Sequence, residues 1–91
     1  MSDVVQAQQF ILVDASGNKQ AGLFATPNGP TMQFYDDRQV LRAAIGWAPG
    51  ASSVQLFDAD GHLRATVAAF DTGEPMVQMY DADGHATKTL S

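Results

Sequence analysis

Two stretches of the chain place oxygen and nitrogen donors close together: Asp58-Ala59-Asp60-Gly61-His62 and Asp81-Ala82-Asp83-Gly84-His85. Carboxylates alternating along a tight loop are the raw material of a calcium site, so Asp58, Asp60, Asp81 and Asp83 are the candidate metal ligands. Calcium takes six to eight oxygens, and an EF-hand loop closes its shell with a bidentate Glu at position twelve. Counted from Asp58, that position is Ala69. The same acids have a simpler use, because an Asp that opens a turn accepts hydrogen bonds from the turn backbone. Two loops from adjacent subunits would be needed to collect enough oxygens for an ion, and no cofactor is called for. His62 and His85 hold one repeat position, where acid-base or transition-metal chemistry would need a third ligand that the spacing does not supply.

Nothing else in the chain outlines an active site. Ser16, Ser52 and Ser53 lie in turns or linkers with no G-x-S-x-G elbow, and no glycine-rich loop precedes a helix. The expectation is a non-enzyme. His62 and His85 at the repeated turn tips, Trp47 beside Pro49-Gly50, and the aromatics Tyr35, Phe57 and Tyr80 are candidate binding residues for a glycan or a partner protein. The aromatic side chains could offer a stacking surface to a glycan or a peptide, or they could close a subunit interface.

The elements that carry these residues follow from a repeat. An aromatic or apolar residue followed by Asp occurs at Val13-Asp14, Tyr35-Asp36, Phe57-Asp58 and Tyr80-Asp81, with the Asp recurring after 22, 22 and 23 residues. Three residues past each Asp stand Gly17, Gln39, Gly61 and Gly84. Four residues before it stand Phe10, Met32, Val54 and Val77, and nine past it Leu23, Ile45, Val67 and Leu90. A fixed period of this length means stacked supersecondary units. Within each unit the apolar residues alternate with period two, so each unit reads as a β-hairpin with an Asp-x-x-Gly turn. Asp14, Gly17, Asp36, Asp58, Gly61, Asp81 and Gly84 are then structural turn residues. Gln39 replaces the turn glycine, which makes the second turn the place where geometry should deviate.

The predicted fold is all-β: four tandem hairpins, approximately residues 9–29, 31–50, 53–74 and 76–91, in one domain covering 1–91. The stretch Arg38 to Trp47 has helix formers, yet it aligns with return strands and is read as a strand. Pro27-Asn28-Gly29-Pro30, Pro49-Gly50 and Asp71-Thr72-Gly73-Glu74-Pro75 link one hairpin to the next, with Pro expected to halt sheet pairing. The Leu, Ile, Val and Ala columns form a thin core, whereas Gln33, Gln55 and Gln78 share the opposite face with the aromatics and must find hydrogen-bond partners between repeats or around an axis.

Composition narrows the function classes. Five basic residues against ten acidic ones leave a net charge of −5, which disfavours nucleic acid. Arg42 and Arg64 are expected to pair with acids of neighbouring units. The longest apolar run is Phe10 to Val13, too short to cross a membrane. The start, Met1 to Gln6, lacks a secretory pattern, so a cytoplasmic or virion-associated location is favoured. With no Cys there are no disulfides, and stability must come from burial alone. Apolar residues on both faces of so small a sheet imply cover by further copies: a homo-oligomer, with a trimer as first choice.

The motifs Tyr35-Asp36, Phe57-Asp58-Ala59-Asp60-Gly61-His62-Leu63 and Tyr80-Asp81-Ala82-Asp83-Gly84-His85 resemble tyrosine-aspartate (Rhs-type) repeats, which wind into β-shells in long arrays. Leu56, Asp58, Gly61, Arg64, Ala65, Gly73, Pro75 and Asp81 are similar to bacterial and phage-associated hairpin repeats, a resemblance that implies an intertwined trimeric β-prism, barrel-like assembly or fibre-like stalk.

Overall fold

The computed structural model describes residues 3–90; Met1, Ser2 and Ser91, on which part of the reading of the termini rested, lie outside them. Eight strands run in chain order: β1 (Gln9–Val13), β2 (Lys19–Thr26), β3 (Gly29–Tyr35), β4 (Leu41–Ala48), β5 (Ala51–Phe57), β6 (Leu63–Phe70), β7 (Pro75–Tyr80) and β8 (Ala86–Leu90). Every neighbour pairs antiparallel in a single open sheet ordered β1 to β8, with no helix among the described residues. The helix formers of β4 are overridden by pairing on both sides.

Proline does not interrupt the sheet as expected. Pro30 and Pro75 are paired inside the ladder, opposite Ala25 and Ala69, at or next to the start of their strands. There a missing N–H costs the ladder little. Consecutive hairpins are therefore joined by the same pairing that forms each one.

Four turns share one hydrogen-bond pattern. Asp58 N–H donates to the His62 carbonyl and Gly61 N–H to the Asp58 carbonyl, at 2.9 and 3.0 Å, and the turns at Asp14, Asp36 and Asp81 do the same. The residue three past the Asp takes positive φ, 85° at Gly61. Gln39 takes φ 65° in its turn and makes the equivalent bonds, so the expected deviation is not found. Its side chain offsets the strain by donating from Nε2 to the Lys19 carbonyl at 2.9 Å.

Beyond each turn the return strand carries one extra residue. Leu56 pairs with Ala65 but Phe57 with Leu63, so Arg64 is bulged; Gln20, Arg42 and Thr87 hold the same place in their hairpins. The bulge shifts the alternation by one. Leu63 therefore shares the face of Phe57 rather than that of Ala65 and Val67.

The two faces differ in kind, and the thin core expected under the aliphatic columns is absent. One unbroken row across all eight strands is Phe10, Leu23, Met32, Ile45, Val54, Val67, Val77 and Leu90. Most of this aliphatic face is open to solvent; Val67 at its middle is 49% exposed. The sheltered side chains lie on the other face, where Thr66 (7% exposed) sits between Gln55 and Gln78, and Ala68 (8%) between Ser53 and Met76. Small residues are buried there because long neighbours lean across them. At Gly22 the space a Cβ would need is filled by the Phe24 ring.

Candidate functional site

The turns line up along one end of the sheet, and their acids are committed to the backbone. Asp58 Oδ1 accepts from Asp60 N–H and His62 N–H, both at 3.0 Å. Asp14, Asp36 and Asp81 each accept the corresponding pair. At Asp14, Asp36 and Asp58 these bonds favour the charged form. The bond from His62 N–H holds the Asp58 carboxyl below its ordinary value, aided by Asp60 N–H and Arg64. Asp36 is lowered chiefly by Val40 N–H and Asp14 chiefly by Asn18 N–H.

Asp58, Asp60 and His62 bring one donor atom each within 4.8 Å of one another, and so do Asp81, Asp83 and His85. Two of the three donors in each group are oxygens, a third or less of the six to eight that calcium takes. In the first group Asp58 Oδ2 is also engaged, 3.4 Å from Arg64 Nη1 and 3.6 Å from His62 Nδ1. In the second the arginine position is Thr87, and among the described residues Asp81 Oδ2 has His85 Nδ1, at 3.6 Å, as its ion-pair partner. The second loop is thus the more available to a cation.

The arginines do something the sequence reading missed. Arg42 Nε donates to the Phe57 carbonyl at 3.0 Å while Nη1 reaches Asp36 of its own hairpin at 3.4 Å. Arg64 repeats the arrangement with the Tyr80 carbonyl, 2.9 Å, and Asp58. Each arginine pairs with the acid of its own turn, not with that of a neighbour, and ties that turn to the next hairpin's main chain. Arg38 adds a further tie to the Ala59 carbonyl at 3.0 Å. The recurrence of Arg six residues after Asp was the available signal; the bulge that aims it was not visible.

Tyr35, Phe57 and Tyr80 end their strands beside these turns, paired with Leu41, Leu63 and Ala86. Lys19 Nζ lies 4.4 Å from the Tyr35 ring centroid, and Tyr35 OH donates to Gln33 Oε1 within its own strand. Trp47 is not part of this group. It lies near the far end of β4, paired with Ser52, so the combined aromatic surface does not form. The Gln column also departs from expectation: its one side-chain bond among the described residues is the Gln33–Tyr35 bond inside a strand, and none crosses between hairpins.

Trp47, 48% exposed, instead borders an open groove of about 280 Å³ whose other walls include Thr31, Ala44, Gly46, Ser53 and Gln55. Small residues make the depression, and Gln55 and Ser53 supply polar atoms. The groove and the turn row are at opposite ends of the strands. No protein-family model and no curated protein matches the chain.

Proposed function

We propose that this chain is a non-catalytic structural module of tandem hairpin repeats that assembles with copies of itself through its aliphatic face. The observation that carries the reading is the area left uncovered. The chain exposes 6515 Å², whereas a compact monomer of its mass exposes roughly 5,100 Å². The excess, about 1,400 Å², is more than the ~800 Å² each partner gives to a standard interface. The radius of gyration, 15.4 Å, likewise exceeds the ~12 Å of a compact chain this long. A sheet one layer thick buries no large side chain, and a second layer of like character is the ordinary remedy.

A homotrimer remains the favoured arrangement, three sheets enclosing their aliphatic faces about one axis as a prism or barrel-like body. Sedimentation velocity with light scattering tests it: a mass of three or six chains supports the trimer, two chains that fall to one on Val67→Lys would replace it with a face-to-face sandwich, and a stable monomer or a dimer that Val67→Lys leaves intact refutes the assembly. A second reading, a small glycan- or protein-binding module, is favoured by the groove beside Trp47. Trp47→Ala distinguishes them, since loss of assembly supports an interface and loss of glycan-array signal from an intact oligomer supports a binding site. Calcium would act in either case by bridging the acidic turns of adjacent copies.

A further inference from the structure

The two edges of the sheet are not equivalent, and the difference originates in the turns. In every hairpin the bulge falls on the return strand, so the last strand, β8, is interrupted at Thr87, whereas the first strand, β1, is regular throughout. β8 also places Lys88 in the aliphatic row that holds Leu12, Phe34, Leu56 and Met79 elsewhere. A lysine on the edge strand and a bulge are two ways in which an edge is kept from pairing. β1, Gln-Phe-Ile-Leu-Val, has neither, and Ile11 and Val13 are 46% and 50% exposed.

The ladder also fixes which groups of β1 are free. Ala25 N–H donates to the Gln8 carbonyl, so by alternation Phe10 and Leu12 bond toward β2, and Gln9, Ile11 and Val13 turn their N–H and C=O groups outward. We propose that β1 pairs with β1 of a second copy, antiparallel about a two-fold axis at Ile11. That register sets Ile11 against its own counterpart and Gln9 against Val13, which satisfies every outward group of the three residues. It sets Phe10 against Leu12 on the aliphatic face, so that face runs on unbroken from one copy to the next. The segment carries no charge to oppose its own image. Pairing β1 with β8 instead would put Lys88 against Leu12 and meet the bulge at Thr87.

The contact is separate from the aliphatic-face assembly and does not rest on it. Two variants test it. Ile11→Pro removes only an outward donor, since Ile11 makes no ladder bond to β2, and is expected to halve the mass of the wild-type assembly with an unchanged far-UV spectrum. Ile11→Cys, in a chain with no other Cys, is expected to give a disulfide-linked dimer under mild oxidation, because facing hydrogen-bonded residues lie about 5.5 Å apart at Cα, within disulfide reach. Retention of the full mass by Ile11→Pro, or no covalent dimer from Ile11→Cys, overturns the proposal. Val67→Lys on the aliphatic face separates the two contacts: cross-linking of Ile11→Cys that persists in the Val67→Lys background shows the edge standing by itself.

Discussion

Val67→Lys is the sharpest probe of the aliphatic face. Val67 lies in the row between Val54 and Val77, and 49% of it remains open in the single chain. A lysine there extends into solvent, so in the isolated sheet the substitution costs less than about 1 kcal/mol. Once the face is covered the balance reverses. The lost apolar burial amounts to about 1 kcal/mol, half the value of a fully buried valine, and desolvating an unpaired ammonium adds several more. A total of roughly 4 kcal/mol weakens association on the order of 10³-fold. Sedimentation velocity across a wide concentration series, with far-UV circular dichroism on the same samples, reads both effects. The expected result is folded protein of lower mass at concentrations where the wild type is assembled. An unchanged association constant in the variant would refute the argument, because no covered apolar face tolerates that charge.

Four further outcomes follow from the turns and their ties. Arg64→Met should cost roughly 1 kcal/mol through the lost bond to the Tyr80 carbonyl, measured by urea denaturation, with hydrogen exchange rising first at the β6–β7 junction. Gln39→Ala should destabilise by about 1 kcal/mol because it keeps the positive φ and loses the bond to Lys19, whereas Gln39→Gly should be closer to neutral because it relieves the φ strain; an equal loss in both would show that φ does not matter there. The lowered carboxyls of Asp14, Asp36 and Asp58 stabilise the fold above their unfolded value, and that contribution disappears as pH falls through the still lower folded value. Asp58→Asn keeps the turn acceptor but not the charge, so its stability should fall less steeply on acidification than the wild type's. In calorimetric titration with calcium, any heat should come from the loop of Asp81, Asp83 and His85 and be removed by Asp83→Ala but not by Asp60→Ala; no heat and no stabilisation removes calcium from the account.

The strands, their order in hairpins and the chemistry of the turns were legible in the residues alone. Those features are local: period-two alternation, an Asp that bonds the backbone two and four residues on, and a glycine that permits positive φ act within one hairpin. At Gln39 the Asp36 turn keeps the same backbone bonds, and the side-chain bond to the Lys19 carbonyl offsets the strain of the left-handed φ. How those strands share space emerges only from the fold. The bulge after each turn shifts Leu63 to the aromatic face and aims Arg42 and Arg64 at the next hairpin, an offset that alternation alone does not reveal. The separation of Trp47 from Tyr35, Phe57 and Tyr80 likewise depends on position along paired strands. Most of all, the aliphatic columns that looked like a core are the open face. Alternation tells which residues point together but not whether anything lies above them, since burial depends on a second layer and this sheet makes none of its own.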